Sequence, residues 1–329
     1  MTNNVKKGLT ATVIIEAESL NYDEGFKNVS ILKKIRRADG GIYTFASRQS
    51  LRYSIVKQGI EQFGWKLAEV ELVKGKGAGE GVTQHKYESS IKDSEEIDLF
   101  GYMKTKSAQQ EEETHLRLAP VRLTPAISLE PFYSDIEFMN NKWMADRVPA
   151  APNIANIEHH RSLYKYTVTI DLDRIGTEEW NWTLDENGKK VMIEPEDRAK
   201  RINQFLEILK TLYRDIRGRR EDLKPLFIIG GVYDIKNPFF MNAVIVEWVH
   251  GKPVVLDEPI KQIFNADYYV GNEKISIKNS TVLGVRSGIF GNEDKLKQLL
   301  EGADTLPSPE LAIDTLKQKV NEYFGVNKK

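Results

Sequence analysis

Cysteine is absent from the 329 residues. That excludes disulfides, thiol nucleophiles and cysteine-ligated metals, and it fits a reducing, cytoplasmic setting. Long apolar runs are absent too: no stretch approaches the roughly 18 apolar residues a membrane-spanning helix needs. The opening "MTNNVKKGLTATVIIEAE" has no long apolar block before Glu16, so no secretory leader is expected. Strong net charge is also missing. With 47 Lys and Arg against 48 Asp and Glu, the balance is −1, so a polyanionic partner would have to be recognised by local clusters of cations. Enzyme signatures are scarce: there is no G-x-S-x-G, no H-E-x-x-H and no P-loop. "GKGAGEG" (75–81), with glycines in steps of two, reads as a flexible loop. No fixed-period repeat occurs, which excludes a solenoid. No cofactor and no metal are expected.

What is there begins with a core. Hydrophobic residues make up 40% of the chain, with 13 Phe, 13 Tyr and 5 Trp. Residues 8–17 are apolar and β-branched and predict a buried first strand. Residues 19–46 show no periodicity and read as a long charged connection. Ser47 is a helix N-cap, Leu51 and Ile55 form an apolar face one turn apart, and Gly59 closes the helix. "WKLAEVELV" (65–73) alternates and predicts a second strand. From Lys74 to Asp98 the chain is too polar to bury much surface, so a mobile loop is expected there. "KTKSAQQEEETHLR" (104–117) reads as solvated. "LAPVRLTPAISLEPF" (118–132), with three prolines, reads as an extended arm.

The cleanest strand is "YKYTVTIDLD" (164–173). A helix follows with Pro195 in its first turn and an apolar face of Ile202, Phe205, Leu206, Leu209, Leu212 and Tyr213. "PLFIIGGVY" (225–233) predicts a central strand, with further strands at 243–249 and 281–285. Ser308 and Pro309 open a final helix whose inner face is Ile313, Leu316, Val320, Tyr323 and Phe324. The order strand, helix, strand, insertion, strand, helix, strand matches a split βαβ, ferredoxin-like arrangement.

Two acidic or imidazole pairs are weak candidates for chemistry. His159 and His160 are adjacent, so on a strand they face opposite sides and cannot share a metal easily. Asp171 and Asp173 would share one strand face. Paired carboxylates can hold magnesium or move protons, but a solvated face is the simpler reading. Cations say more. Lys33, Lys34, Arg36 and Arg37 fall within five positions. Arg48 and Arg52 lie one turn apart in a helix without acids until Glu61, so no neighbour on that helix offsets their repulsion. An anionic partner would. Arg214, Arg217, Arg219 and Arg220 crowd the expected end of the second helix, where the macrodipole already favours cations. Four cations on one single strand would give log K against log salt a slope of about −3.

At these residues the sequence resembles a known family. "AESLNYDEGFKNVSILKKIRRADGGIYTFASRQSLRYSI" (17–55) is similar to the DevR-like Cascade backbone subunits of type I CRISPR systems, the Cas-seven family, in particular its type I-B branch. The S-R-Q-x-L-R-Y helix start is its most specific part. The likeness continues through "LFGYM", "RLTPAISLEPF", "HHRSLYKYTVTIDLDRIG" and "IIGGVYDIKNPFF", spanning roughly residues 8–250. It implies an α+β fold: an RRM-like (ferredoxin-like) palm at 1–73 and 160–290, inserted finger, web and thumb elements at 74–159, and a C-terminal helical segment at 291–329 packed on the palm. It further implies copies stacked head to tail along CRISPR guide RNA, a thumb that kinks the strand, and bases left free to pair with target DNA. Other Cascade subunits, of the Cas-five, Cas-six and large-subunit families, would be partners. No chemistry is implied for this subunit.

A backbone protein must hold phosphate and ribose and ignore base identity. The expected RNA contacts are Ser47, Arg48, Gln49 and Arg52 on the matched helix, Lys33, Lys34, Arg36 and Arg37 in the matched connection, and Arg122 in the extended arm. Gly230 and Gly231 would let backbone approach RNA, or form a strand-end bulge. Two alternatives stand beside this: an RNA-cleaving relative using Asp23, as in type III effectors, and a DNA-binding developmental or transcriptional regulator, for which no helix-turn-helix or zinc module is visible.

Overall fold

The computed structural model describes residues 6–23, 29–74, 81–86, 88–107, 112–148, 150–178, 193–299 and 307–326. Residues 75–80, which carry most of the glycine-rich stretch, lie outside them. The first strand, β1 (Gly8–Glu18), is buried along nearly all its length, as expected. The charged connection after it is not a loop. It holds β2 (Tyr22–Asp23), β3 (Val29–Leu32), β4 (Lys34–Arg36) and β5 (Ile42–Ala46), each too short for alternation to register as a pattern.

Helix α1 (Arg48–Phe63) starts after Ser47 but runs past Gly59 to a left-handed cap at Gly64. Gly59 has another use. A Cβ there would lie 2.3 Å from the Trp65 ring, so the missing side chain lets the buried indole lie against the helix. Next come β6 (Val70–Lys74) and β7 (Gly81–His85), then α2 (Glu95–Phe100), β8 (Tyr102–Ser107) and β9 (Glu112–Arg117). β6 pairs with β7 and β8 with β9 as separate two-stranded sheets.

β10 (Val121–Leu123) and β11 (Ala126–Ser128) are followed by an arm: β12 (Asp135–Asn140), α3 (Lys142–Ala145) and β13 (Ile154–His159). β14 (Arg161–Asp171) ends in a 3-10 turn, Leu172–Arg174. Asp173 therefore sits in that turn and does not share a strand face with Asp171. α4 (Pro195–Lys210) has Pro195 in its first turn, as expected, but it ends two residues before Leu212. Tyr213 begins a hairpin, β15 (Tyr213–Ile216) and β16 (Arg219–Asp222). The four arginines expected at a helix end are on this hairpin instead.

β17 (Phe227–Tyr233) precedes β18 (Val246–Val249), β19 (Lys252–Val255), α5 (Glu258–Asn265), β20 (Tyr268–Val270), β21 (Glu273–Ile275), α6 (Ile277–Ser280), β22 (Thr281–Val285) and α7 (Glu293–Gln298). α8 (Pro309–Phe324) closes the order; the Ser308 side chain caps it and Ile313, Leu316 and Val320 are buried, as the sequence predicts.

The main sheet runs β22-β17-β1-β14-β11-β5-β4, with β10 also paired to β14. β1 is antiparallel to both β14 and β17, in the registers Thr12↔Thr167 and Ala11↔Gly230. The quartet β17-β1-β14-β10/β11, with α1 and α4 as its two crossover helices, is the α+β, ferredoxin-like pattern expected. Its second core strand is not 65–73 but β10 and β11, about fifty residues later, because 70–74 turns away to pair with β7. The proline-containing stretch expected as an arm is thus part of the palm sheet.

The principal core lies between one sheet face and α1, α4 and α8, joining Val13, Ile15, Ile55, Tyr166, Phe205 and Leu316. A second cluster, including Phe227, Ile229, Phe240 and Phe290, packs residues 226–299 on the other face of β17 and β22.

The segment expected as solvated also carries buried charge. Lys104, His115 and Arg117 are buried, and Asp98 is completely so. Arg117 Nη2 lies 2.8 Å from Asp98 Oδ1, and Arg201 Nη1 lies 2.7 Å from Asp98 Oδ2. Gly176 N–H donates to Asp98 Oδ1 at 2.9 Å, and Arg201 also donates to the Ile91 and Lys92 carbonyls. This network ties α2, β9 and α4 together. Charge pairs of this kind are invisible to a reading based on polarity alone.

Candidate nucleic-acid interface

The first turn of α1 contains no acid. Ser47 is extended, and its hydroxyl accepts the Ser50 N–H at 3.2 Å. This fixes the helix start and leaves Arg48 and Gln49 exposed beside it. Residues four apart lie above one another on a helix, so Arg52 rises on the same flank as Arg48. Opposite them, β10 brings Arg122, and the end of α2 brings Phe100. Arg48, Gln49, Arg52, Phe100, Val121, Arg122 and Leu123, with Ala119, line one pocket of about 350 Å³. Four expected contacts, three from one helix and one from a distant strand, thus converge on a single concavity with an apolar floor.

The three guanidiniums differ in their surroundings. Arg48 has no carboxylate within ion-pair distance among the described residues. Arg52 does: its Nη2 is 3.1 Å from Glu96 Oε1, and its guanidinium lies 5.0 Å from the Phe100 ring centre. This corrects the expectation that nothing offsets its charge; the acid comes from α2, not from α1 itself. Arg122 Nη2 is 2.7 Å from Asp171 Oδ2. Burial alone would raise the Asp171 carboxyl, but the hydrogen bond and charge of Arg122, with Lys236 and Arg174, hold it below the usual range. Asp173 pairs with Lys236. Both aspartates considered for metal or proton chemistry are therefore engaged by cations. Among the described residues, no group of three or more His, Asp or Glu is placed to hold a metal ion.

A family model, the CRISPR-associated negative auto-regulator DevR/Csa2, matches residues 9–249. The chain belongs to the DevR/Csa2 family. No curated relative matches it. Among solved structures, a chain titled CRISPR RNA-guided surveillance complex, pre-nicking, superposes with TM-score 0.55 at 11% identity, over 95% of this chain and 100% of the other. A second, titled CRISPR RNA-guided surveillance complex, gives 0.54 at 12% identity over 94% and 98%. At such identities the likeness is one of fold.

The remaining expected contacts of this DevR/Csa2 chain scatter. Lys33 pairs with Asp23, and Lys34 with Glu158, the latter also 4.6 Å over the Phe132 ring. Arg36 is exposed, and Arg37 lies 4.3 Å over the Tyr43 ring. None of the four lines the pocket. Gly230 and Gly231 are buried in β17. A Cβ on Gly230 would lie 2.2 Å from the Thr10 carbonyl oxygen, and one on Gly231 2.3 Å from that of Ser280. The close approach they permit is to the chain's own backbone, which corrects their assignment to RNA. His159 and His160 do face apart: His159 bridges Glu18 and Glu137 at 2.7 Å each, while His160 meets Thr44 Oγ1 at 2.7 Å and is pushed toward its neutral form by burial.

One surface was missed in the sequence. The β12–α3–β13 arm exposes Ile136, Phe138, Trp143 and Met144, at 59%, 60%, 74% and 61%. Large apolar groups this open, at the β12 edge of the four-stranded sheet β12-β13-β3-β2, form a surface suited to an outside partner. The signal was the run "DIEFMNNKWM", whose apolar residues have no complementary helix or strand pattern beside them.

Proposed function

We propose that this chain is a non-catalytic backbone subunit of a type I CRISPR surveillance complex, of the I-B kind, that stacks in copies along guide RNA in the cytoplasm. The observation that carries this is the convergence of Arg48, Gln49, Arg52 and Arg122 on one pocket. Guanidiniums can grip phosphate in two-pronged fashion without reading a base, and the apolar floor suits the ribose and the carbon face of a nucleotide. The exposed apolar arm suits intrusion between stacked nucleotides or against a neighbouring copy. Membership of the DevR/Csa2 family and the fold shared with chains of RNA-guided surveillance complexes support the same reading. The guide would present its bases to target DNA, and Cas-five, Cas-six and large-subunit proteins would complete the assembly.

The engagement of Asp23 by Lys33 favours a holding role over RNA cleavage. Incubating the assembled complex with complementary RNA and magnesium should give no periodic cuts; cuts abolished by Asp23→Ala would reverse that part of the proposal. The central test is copurification. The expressed chain should carry RNA of defined length, and Arg48→Ala with Arg122→Ala should release it equally for guides of unrelated sequence. Loss for one guide sequence alone, or a specific shift of promoter duplex without guide, would point to a regulator instead.

A further inference from the structure

The hairpin formed by β15 and β16 carries four arginines, and they divide cleanly. Arg219 Nε lies 2.6 Å from Glu221 Oε1. Arg220 forms two hydrogen bonds to Asp215, at 2.7 and 3.0 Å. Arg214 and Arg217 have no carboxylate within ion-pair distance among the described residues. Arg214 donates to the Ser50 hydroxyl in the first turn of α1. Its burial disfavours the charge, with only the Tyr53 hydroxyl acting the other way. Arg217 is exposed at the tip of the turn, 5.4 Å over the Tyr22 ring.

The turn itself is unusual. Arg217 and Gly218 both have positive φ, 48° and 82°. A two-residue hairpin turn of this kind favours Asn or Gly at its first position, because a longer side chain is strained there. An arginine held in that conformation at a hairpin tip, without an acid to meet it, suggests a ligand outside the chain.

Geometry connects this hairpin to the pocket. On α1, Arg48 and Arg52 occupy one flank, while Ser50, bonded to Arg214, and Lys57, paired with Asp215, occupy the opposite flank against the hairpin. Between the flanks stand Gln49 and Tyr53, one turn apart, both exposed, Tyr53 at 65%. Resting on the RNA-backbone reading above, we infer that the guide strand crosses the ridge of Gln49 and Tyr53 and continues to the hairpin. There Arg214 and Arg217 hold the next phosphates, and Tyr53 offers a face for one base or ribose. The polyanion is the same single strand, so the site is longer than the pocket and includes a segment outside the recognised helix.

The test is a salt titration with a single-stranded RNA of mixed sequence, using the intact chain. Arg214→Ala with Arg217→Ala should lower the magnitude of the log–log slope by about 1.4, close to 0.7 for each phosphate contact on a single strand. Arg220→Ala, which removes a cation already paired within the hairpin, should leave it unchanged. Tyr53→Ala should weaken binding about tenfold at constant slope, as loss of one stacking face does. Arg217→Ala alone, at an exposed turn, guards against misfolding and should still lower the slope by about 0.7. An unchanged slope in both Arg217→Ala and the double variant overturns this extension. If Arg48→Ala still lowers the slope in that case, the RNA-backbone reading survives without it; if Arg48→Ala is also silent, both fall. A loss seen only for target DNA, with RNA binding intact, would assign the hairpin to DNA and likewise overturn the proposal.

Discussion

Guanidiniums gather at two places among the described residues, around Asp98 and at the start of α1, and the two gatherings obey opposite rules. Around Asp98, Arg117 and Arg201 are buried, each within 2.8 Å of a carboxylate oxygen, with backbone carbonyls taking their other N–H groups. Around the start of α1, Arg48, Arg52 and Arg122 stand at the surface, and only two of the three meet an acid. A buried charge without a partner is very costly, and both guanidiniums at Asp98 meet a carboxylate oxygen. A surface cation is stable in water and can wait for a ligand. The comparison separates arginines that hold the fold from arginines left open at the surface, although Asp98 of one group and Glu96 of the other both belong to α2.

Mutations should divide along the same line. Asp98→Ala leaves two buried guanidiniums with only the more distant Glu178 and Glu95, each 3.9 Å away, and should cost about 3–5 kcal/mol in urea unfolding, the largest effect expected here. If Asp98→Ala unfolds no more easily than a surface variant, the buried network is not structural. Lys165 tests the rule from another side. Among the described residues this desolvated cation is held by the Met241 and Val244 carbonyls, at 3.0 and 2.8 Å, and burial brings its ammonium down to about 8. The unfolded chain keeps that proton up to about pH 10.4, so between about pH 8 and 10.4 the unfolded state binds more protons and stability rises with pH. Measured against Lys165→Met, the parent should gain of order 3 kcal/mol across that window. A flat difference between the two proteins would mean that Lys165 titrates normally.

The surface group should respond in binding and not in stability. Arg48→Ala should change unfolding by less than about 0.5 kcal/mol while lowering the RNA salt slope by about 0.7. A large loss of stability there would erase the contrast with Asp98. Ser47→Ala removes the cap on the same helix and should cost about 1 kcal/mol, readable as a shift in the urea midpoint. The smallest effect sharpens the comparison most. Glu96→Gln releases Arg52 from its own acid, and guide affinity should rise by a few-fold, since this half-buried pair contributes about 1 kcal/mol, the upper end for surface pairs. If affinity falls, Glu96 is aiming Arg52 and not competing for it.

Much of the palm could be read from the chain. β1, β14, β17, β22 and α8 have a continuous apolar pattern or a defined cap, and those signals are local. The second core strand could not be read, because β10 and β11 have three residues each and owe their place to pairing with β14. Alternation at 65–73 was a real pattern that a different partner used. At the site, Arg48 and Arg52 followed from helical spacing, Gln49 from the family motif at the helix start, and Arg122 from its place in a recognised stretch. Glu96 opposite Arg52, and Glu158 opposite Lys34, depend on contacts across long separations, and Asp23 meets Lys33 only through the pairing of short strands. Composition carries no record of those. The buried glycines of β17 mislead for a related reason: close approach is written into glycine, but not what approaches.

The seating of β10 against β14 also sets a timetable. Arg122 reaches the pocket only when Val121, Arg122 and Leu123 pair with Val168, Thr169 and Ile170, which are translated later. A chain still emerging from the ribosome can form α1 and display Arg48, but it has no complete grip until the third core strand has arrived. If that surface holds RNA as proposed, its complete form exists only once the sheet has closed.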